Sequence, residues 1–232
     1  MSDYKTALIT GAAGNLGKAV VEVFNENNFK VHGSIEPGKN PKIGPQAMLV
    51  WHEADLKKED SAMTFVKDVI NVEKKIDACI MLVGGFAMGD IHHTSMSDIR
   101  EMMQLNFETA YHVAKPVFQQ MIKQENGGRI IFIGAKPALE VQAGKGLMAY
   151  ALSKSLLFQL ADMLSAQGEA HGVTASVVVP SIIDTPPNRS AMPDANFDKW
   201  VSPNSLAEVM HFICSDASKD VRKGVYKVYG DS

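Results

Sequence analysis

Tyr150 and Lys154 are the two residues of this chain whose types and spacing most directly indicate chemistry. They lie four positions apart in an amphipathic stretch, which places a phenol and an ammonium group on one face of a helix. A phenol with its ordinary pKa of about 10 donates a proton well, and a nearby cation lowers that pKa so that the phenol can also ionise. Such a pair suits the protonation of a substrate heteroatom during reduction. The alternative is an ordinary helix with the tyrosine packed and the lysine solvated.

Reductases with such a pair usually also place a serine hydroxyl just upstream, which holds the carbonyl oxygen of the substrate, and this chain lacks that hydroxyl. The segment Ile131–Leu139 contains no serine or threonine, and the nearest one upstream of Tyr150 is Thr109. Either the substrate does not need such a hydroxyl, or the enzyme is disabled. The presence of both Tyr150 and Lys154 favours the first alternative.

The composition narrows the class of protein. A chain of 232 residues fits one α/β domain, and a net charge of −3 gives no electrostatic reason to expect nucleic acid or an anionic membrane as partner. Cys79 and Cys214 belong to no CxxC pair, and His92 and His93 have no partner in a ligand pattern, so no disulfide or metal site is expected. We see no signal peptide and no apolar stretch near the roughly 18 residues of a membrane span. The expectation is a soluble, cytoplasmic protein that acts on a small-molecule substrate.

Short apolar runs alternate with amphipathic stretches, which predicts a parallel sheet covered by helices on both faces. With right-handed crossovers this is a single doubly wound Rossmann-type α/β domain of about seven strands. The predicted strands are Lys5–Ile9, Lys30–Ile35, Ala47–Trp51, Ala78–Val83, Arg129–Ile133, Ala175–Val179 and Val225–Val228. The predicted helices are Leu16–Asn27, Ser61–Val72, Ser95–Gln124, Leu147–Gln167 and Pro203–Ser215. The proline- and glycine-rich segment Glu36–Pro45 predicts an open loop where a crossover helix is usual.

A glycine-rich turn, Thr10–Gly17, links the first predicted strand to the first predicted helix. Its glycines allow a tight turn and close approach of the backbone to a pyrophosphate, and the helix N-terminus supplies N–H donors. In this strand–turn–helix context, a dinucleotide site is favoured over a purely structural turn. The expected cofactor contacts in the turn are Gly11, Gly14, Asn15, Leu16 and Gly17.

Glu36 follows the second predicted strand and bears on the choice of cofactor. A carboxylate there accepts hydrogen bonds from the adenosine ribose hydroxyls and repels a 2′-phosphate. NAD(H) is therefore preferred. NADP(H) is possible because Lys39 and Lys42 weaken the discrimination against the 2′-phosphate. The alternative for Glu36 is a solvated loop residue.

Two further strand ends are expected to border the cofactor. Asp55 and Leu56 follow the third predicted strand, where contact with adenine and a helix N-cap role for Asp55 are both open. Gly84 and Gly85 follow the fourth strand, and their small size lets the backbone pass close to the cofactor.

Together these motifs resemble the short-chain dehydrogenase/reductase family over essentially the whole chain. The resemblance implies that Tyr150 is the proton donor and that Lys154 supports it while reaching the nicotinamide ribose. It implies that Asn106 bends a long helix and holds a water in the proton relay, although a helix-surface amide is the alternative. It also implies that Pro180–Thr185, which matches the family's Pro-Gly-x-x-x-Thr except for Ser181, holds the nicotinamide carboxamide through the threonine and nearby backbone.

Within that family, three stretches resemble the quinonoid dihydropteridine reductases: Val83–Gly89, Gly134–Leu139 and Asp184–Trp200. Those enzymes also lack the serine. A quinonoid acceptor gains aromaticity on reduction, so it needs less oxyanion stabilisation than a ketone, for which one lost donor costs about 2.7–4 kcal/mol. The chain departs from that pattern in having Asn106, and Phe86 where a tryptophan is expected.

The segment Thr185–Trp200 is expected to be a mobile lid without a regular helix, at the end of the sheet where ligands bind. Phe197 and Trp200 either form an apolar wall over a planar substrate or pin the lid to the core. Arg189 is placed to orient a polar edge of the substrate. The other candidate substrate contacts are Phe86, Ala135 and Met148.

The favoured function is NAD(P)H-dependent reduction of a quinonoid dihydropterin or a similar planar conjugated acceptor. The first alternative is a carbonyl or alcohol oxidoreductase in which water or a backbone N–H replaces the serine. The second is a non-catalytic, cofactor-binding regulatory protein. The resemblance implies a homodimer or homotetramer that pairs through Ser95–Gln124 and Leu147–Gln167.

Overall fold

The computed structural model describes residues 4–41 and 48–231. Its strands form one seven-stranded sheet in the order β3-β2-β1-β4-β5-β6-β7, and every neighbouring pair is parallel. The strands are β1 (Lys5–Thr10), β2 (Phe29–Ile35), β3 (Leu49–Glu53), β4 (Ala78–Met81), β5 (Gly128–Ile133), β6 (Val173–Pro180) and β7 (Val225–Val228). The predicted Rossmann-type fold is confirmed.

Helices cover both faces of this sheet. They are α1 (Asn15–Glu26), α2 (Glu59–Glu73), α3 (Met96–Met103), α4 (Thr109–Met121), α5 (Lys136–Leu139), α6 (Met148–Gly168), α7 (Pro186–Ala191) and α8 (Pro203–Cys214), with 3-10 turns at Val141–Gly144, Glu169–His171, Phe197–Lys199 and Asp216–Ser218. Within the described ranges, no helix has the length and apolar character needed to span a membrane.

Two hydrophobic cores lie on opposite faces of the sheet. Residues of α2, α4 and α6 close the first core, and residues of α1 and α8 close the second. Successive strand residues point to opposite faces, so Leu8 of β1 packs into the first core and Ile9 into the second. Because both faces of the central strands are buried, these strands read as continuous apolar runs.

The strand order reverses between β1 and β4, which are neighbours at the centre of the sheet. β4 ends at Met81, two residues earlier than predicted. The hydroxyl oxygen of Thr10, at the end of β1, accepts the backbone N–H groups of Leu82 at 3.1 Å and Val83 at 3.5 Å. This side chain therefore ends the strand pair and opens the crevice in which sheets of this kind bind ligands.

The connection from β2 to β3 agrees with the predicted open loop as far as it is described. Residues 36–41 form no helix, while residues 42–45 of the predicted loop lie outside the described residues. The predicted strand Ala47–Trp51 is shifted: β3 runs from Leu49 to Glu53, and Ala47 is also outside the described residues.

The single helix predicted over Ser95–Gln124 is wrong, because a π-helical turn at Gln104–Glu108 separates α3 from α4. The backbone N–H of Thr109 donates to the carbonyl oxygen of Gln104, five residues back. Such turns insert one extra residue and are frequent at functional sites. Asn106 lies in this turn, which is where the family resemblance implies a bend.

The lid predicted to lack a regular helix contains α7 and the 3-10 turn Phe197–Lys199. Pro186 and Pro187 occupy the first positions of α7, where a missing backbone N–H costs nothing, so they start a helix and do not break one. A parallel bridge between Ile183 and Val201 closes the base of this segment.

Candidate active site

A cavity of about 600 Å³ opens at the carboxyl ends of β1 to β4, within the size range of ligand sites. Seven of the predicted cofactor contacts line it: Gly11, Gly14, Asn15, Glu36, Asp55, Leu56 and Gly84. The structure therefore brings together the glycine-rich turn and the three strand ends that the sequence indicated.

The other predicted cofactor contacts are not part of the cavity lining: Leu16, Gly17, Gly85, Tyr150, Lys154, Pro180 and Thr185. Gly17 is a packing residue, because a Cβ there would come within 2.2 Å of the carbonyl oxygen of Gly11. Pro180 ends β6, and Thr185 is the buried N-cap residue of α7.

The glycine-rich turn is as tight as the sequence predicted. Gly11 has a φ of +66°, and its carbonyl oxygen accepts the backbone N–H of Gly14 at 2.9 Å, which closes the turn. Gly14 is the N-cap of α1, and a Cβ on it would come 3.1 Å from that same oxygen. The open space beside these glycines and the N-terminus of α1 fit the phosphates of a dinucleotide.

Charges of both signs surround the outer part of the cavity. Glu36 lies on its lining and is exposed, which agrees with ribose binding and equally with a solvated loop residue, and Lys18, Lys39 and Lys57 also line it. Lys42, the second lysine expected to soften the discrimination, lies outside the described residues. The lining therefore holds groups that attract a ribose and groups that attract a phosphate.

Asp55 lines the cavity and does not cap the following helix. Lys58 is the N-cap residue of α2, whereas Asp55 accepts the backbone N–H of Lys57 at 3.2 Å. The N-cap alternative for Asp55 is therefore wrong, and its carboxylate lies beside the cofactor cavity.

Tyr150 and Lys154 lie in the first two turns of α6. Lys154 is buried, and its Nζ donates to the carbonyl oxygen of Ile133, the last residue of β5, at 2.9 Å. A Cβ on Gly84 would be 3.1 Å from that Nζ, so the ammonium group lies against the turn that borders the cofactor cavity. Lys154 is thus placed between the sheet and the predicted position of the cofactor.

Burial shifts both groups of the pair. It raises the pKa of the Tyr150 phenol to about 12 and lowers the pKa of the Lys154 ammonium to about 8. The direction of this phenol shift differs from the sequence prediction, in which the lysine lowers the pKa, because the loss of solvent around the hydroxyl raises it. The phenol is therefore fully protonated at neutral pH, in the form that donates a proton.

Asn106 is completely buried and is not a helix-surface amide. Its Oδ1 accepts the backbone N–H of Gly85 at 2.9 Å, and its Nδ2 donates to Ser153 Oγ at 3.0 Å. The amide therefore connects the turn after β4 to α6, which carries Tyr150 and Lys154.

The predicted substrate side of Tyr150 is aromatic. The ring of Phe86 meets the ring of Tyr150 edge to face with centroids 5.1 Å apart, and Phe86 is 62% exposed. Ala135 is buried at the N-cap of α5, directly after β5. Met148 begins α6, and its backbone N–H donates to the carbonyl oxygen of Gly89 at 2.9 Å, which holds the Phe86 loop against this helix.

The predicted lid residues pair mainly with one another. Arg189 forms a two-pronged ion pair with Asp184, at 2.5 and 2.8 Å, and lies over the ring of Phe197 at 4.6 Å. Phe197 packs on Trp200 with centroids 4.8 Å apart, and Trp200 is buried. Trp200 therefore pins the segment, whereas Arg189 and half-buried Phe197 keep part of their surface open.

The histidine pair lies in an exposed loop, and His93 pairs with Asp90 at 2.7 Å, a partner that the sequence pattern did not show. Across residues 4–41 and 48–231, no group of three or more histidine, cysteine or acidic side chains is arranged to hold a metal ion.

Sequence reasoning missed eleven residues of the cavity lining: Ala13, Lys18, Ser34, Ile35, Asn40, Ala54, Lys57, Leu82, Val83, Leu105 and Thr109. Five of them, Ser34, Ile35, Ala54, Leu82 and Val83, lie at or just after a predicted strand end, which was the available signal. Ser34 is the clearest case, since its Oγ accepts the backbone N–H of Gly11 at 3.4 Å from the neighbouring strand. Leu105 lies in the π-helical turn and Thr109 follows it directly, so this part of the lining belongs to a turn that the sequence did not predict.

Similarity to known proteins agrees with this geometry. The family model described as short chain dehydrogenase matches residues 5–196. A dihydropteridine reductase of Dictyostelium discoideum is 26% identical over 212 residues, 88% of this chain and 85% of that protein. An acetoacetyl-CoA reductase of Acinetobacter sp. (strain RA3849) is 23% identical over 194 residues, 80% of this chain and 77% of that protein. The structure described as ElxO with NADP bound superimposes with a TM-score of 0.89 at 18% identity, covering 98% of both chains.

Proposed function

Because the chain belongs to the short-chain dehydrogenase family of oxidoreductases, we propose that it reduces a planar conjugated acceptor, such as a quinonoid dihydropterin, with NAD(P)H. Enzymes of this family bind NAD(P) and act on small molecules. The observation that carries the substrate class is the surrounding of Tyr150: an exposed aromatic ring, Phe86, lies against it, and Ala135 stands in the segment where a serine would hold a ketone oxygen.

In the proposed reaction the bound nicotinamide supplies a hydride to the acceptor. Tyr150 donates its phenol proton to the acceptor heteroatom that becomes negative, and its raised pKa keeps that proton in place until then. The Lys154 ammonium lies against the turn at Gly84 and stabilises the phenolate that proton transfer leaves. Asn106 holds Gly85 and α6 in register.

A conjugated acceptor explains why the site works without a hydroxyl at Ala135. A ketone develops its negative charge on one oxygen, where one missing donor costs about 2.7–4 kcal/mol. A quinonoid ring spreads that charge and becomes aromatic as it accepts the hydride. A flat aromatic substrate also finds a stacking surface in Phe86, which is open to solvent.

The test is NADH oxidation by the purified protein with quinonoid dihydropterin, beside a panel of ketones and a Tyr150→Phe variant. We expect rapid turnover of the pterin that falls at least about a hundredfold in Tyr150→Phe, because the variant keeps the ring and loses the proton donor. Turnover of ketones alone would overturn the pterin assignment. NADH binding without turnover of any acceptor would favour a regulatory role.

A carbonyl reductase is the second candidate, and the similarity to an acetoacetyl-CoA reductase is the observation that favours it. In that case a water or a backbone N–H takes the place of the serine hydroxyl. The ketone panel separates the two candidates, because a site with a replacement donor turns over ketones at rates comparable to the pterin.

For the cofactor, we propose that NADH is preferred and NADPH is also accepted. Glu36 lies on the cavity lining and repels a 2′-phosphate, while Lys18, Lys39 and Lys57 on the same lining weaken that repulsion. We expect Glu36→Gln to tighten NADPH binding about tenfold and to leave NADH binding within about threefold. Fluorescence titration with both cofactors measures the effect, and an unchanged NADPH affinity would contradict the role of Glu36.

We also propose that the protein pairs with a second copy through α4 and α6, since enzymes of this family are usually oligomeric. Tyr111 on α4 and Leu152 and Met163 on α6 are large apolar side chains that are 41–58% exposed. Burying them against a second copy gives an isologous contact of the kind that forms dimers, and two such dimers give a tetramer. Analytical ultracentrifugation of the wild type and of Met163→Glu tests this surface.

A further inference from the structure

A continuous series of hydrogen bonds runs from the Gly84–Gly85 turn, which follows β4, to α6, the helix that carries Tyr150. The backbone N–H of Gly85 donates to Asn106 Oδ1 at 2.9 Å, and Asn106 Nδ2 donates to Ser153 Oγ at 3.0 Å. The Ser153 hydroxyl in turn donates to the carbonyl oxygen of Tyr150 at 2.8 Å. Ser153 is the residue in this series of hydrogen bonds that the sequence did not indicate as part of the site.

We propose that Ser153 is a positioning residue, which fixes the first turn of α6 relative to the Gly84–Gly85 turn through the side chain of Asn106. The Ser153 hydroxyl uses its one proton in the hydrogen bond to the backbone carbonyl oxygen of Tyr150. The hydroxyl oxygen therefore serves as an acceptor for Asn106 Nδ2. This leaves Asn106 Oδ1 for the backbone N–H of Gly85. One hydroxyl therefore sets the orientation of the buried amide and ties it to the residue that donates the proton.

The surroundings make this link hard to replace. Ser153 and Asn106 are both completely buried, so water does not reach the amide. Apart from Ser153, the partner of Asn106 Nδ2 among the described residues is the sulfur of Met102 at 3.8 Å, which is a weak acceptor. Removal of the hydroxyl leaves a buried donor without a strong acceptor, and the neighbouring groups must shift to satisfy it.

Such a shift acts on the reacting groups because they lie against the same amide. A Cβ on Gly84 would be 2.5 Å from Asn106 Oδ1 and 3.1 Å from Lys154 Nζ, so there is no spare space between them. Movement of Asn106 therefore changes the distance between the cofactor-binding turn and α6. A displacement of about 1 Å in such a site can lower turnover about a hundredfold.

Ser155, two residues further on, provides a matched control. Its hydroxyl donates to the carbonyl oxygen of Leu152 at 2.7 Å, which is the same i to i−3 bond within the same helix. Among the described residues its hydroxyl makes no other hydrogen bond, and its side chain is less buried than that of Ser153. Ser155→Ala therefore removes a serine hydroxyl that bonds to the backbone of α6, and it leaves the hydrogen bond between Ser153 and Asn106 in place.

The experiment compares Ser153→Ala, Ser153→Cys and Ser155→Ala in the full chain, and it rests on the proposed function only for the choice of acceptor. For Ser153→Ala and Ser153→Cys we expect kcat to fall about ten- to a hundredfold, with the Kd for NADH changed less than about threefold. Ser155→Ala is expected to stay within about twofold for both. A cysteine side chain fills the space of the serine but accepts hydrogen bonds weakly. Ser153→Cys therefore tests the hydrogen bond from Asn106 if Ser153→Ala does not fold.

Three results would overturn the proposal: wild-type kcat in Ser153→Cys, wild-type kcat in folded Ser153→Ala, or an equal fall in Ser155→Ala. Amide hydrogen exchange in the NADH-bound protein gives a readout that needs no acceptor. We expect exchange over residues 84–86 and 148–154 to accelerate in both Ser153 variants and not in Ser155→Ala. Absence of turnover in the wild type would sink the proposed function alone, because the exchange experiment still decides the role of Ser153.

Discussion

Lys154 is anchored to the sheet by Ile133, whose carbonyl oxygen accepts a hydrogen bond from its ammonium group at 2.9 Å. Ile133 is the last residue of β5, and the next two residues lead to Ala135. The lysine is therefore held at the strand end where a substrate-binding serine would follow. Its charge is fixed in space by the backbone and does not depend on that missing side chain.

The pH dependence of reduction is expected to report Lys154. Burial lowers the pKa of this lysine to about 8, whereas the pKa of Tyr150 is raised to about 12. The ammonium form predominates at pH 7 and is lost as the pH rises through about 8, while the phenol stays protonated. We expect kcat/KM for reduction to be level from pH 6 to 7 and to fall about tenfold per pH unit above 8.

The matched variant is Lys154→Arg, because a guanidinium stays charged throughout this range. Its kcat/KM is expected to be lower than that of the wild type at pH 7, owing to the different shape of the group, and to lose the decline above pH 8. A wild-type profile that is flat to pH 9.5 would contradict the assignment.

Substitution of Gly84 by alanine is expected to disable the site. The added Cβ would be 2.5 Å from Asn106 Oδ1, which is buried and bonded to the backbone of Gly85, so the amide cannot move aside freely. We expect NADH turnover to fall at least about tenfold and stability to drop by about 1–3 kcal/mol. Gly146→Ala is the control, since a Cβ there meets no atom within 4 Å. Equal loss in both variants would show that the effect is not local.

A histidine pair, of which His32 is buried and His52 is half-buried, is expected to weaken the fold at acid pH. His32 Nε2 donates to the Glu73 carboxylate at 3.0 Å, so His32 Nδ1 accepts from His52 Nε2 at 2.9 Å. Burial lowers the pKa of both histidines, and for His52 the charge of His32 lowers it further. The unfolded chain therefore binds more protons just below pH 6.5, and the free energy of unfolding falls as the pH drops through that value.

Urea denaturation at pH 7.5 and 5.5 measures this loss, with His52→Gln as the comparison. The glutamine amide keeps a donor for His32 Nδ1 but does not titrate, so we expect a smaller loss of stability between the two pH values. If the variant and the wild type lose the same amount, the acid sensitivity arises elsewhere, for example from carboxylates.

The sheet was predictable because its strands are buried on both faces and interrupted by turn residues, so their apolar runs have clear limits. Where tertiary contacts set the limit, the prediction was wrong: the hydroxyl of Thr10 ends β4 early, and the π-helical turn around Asn106 interrupts a helix whose amphipathic pattern is continuous. The prolines at the start of α7 led to the wrong prediction that this segment has no helix. Proline breaks the interior of a helix but is well suited to its first turn.

For the site, spacing indicated the glycines and the strand ends that line the cavity, since these depend on local backbone geometry. It did not indicate Ser153 or Ser34, because their partners, Asn106 and Gly11, lie 47 and 23 residues away and meet them only in the fold. The direction of the Tyr150 pKa shift was also missed, since burial of one hydroxyl is a property of packing and leaves no pattern in the sequence.

Restoring a hydroxyl at position 135 is expected to widen the choice of substrate. Ala135 is 4% exposed at the N-cap of α5, two residues after the strand end whose carbonyl holds Lys154. In the proposed site, a serine at this position adds one donor for the reacting oxygen. An added donor of this kind is worth up to about a hundredfold for a ketone, whose charge develops on a single oxygen, and little for a quinonoid ring. We expect Ala135→Ser to raise kcat/KM for ketones about ten- to a hundredfold and to change kcat/KM for quinonoid dihydropterin less than about threefold.

Ala143→Ser, on the exposed turn that follows α5, controls for an added hydroxyl elsewhere. Unchanged ketone turnover in a folded Ala135→Ser protein would mean that the missing hydroxyl does not limit the substrate range, and the reason for a conjugated acceptor would then have to lie in the aromatic surface at Phe86.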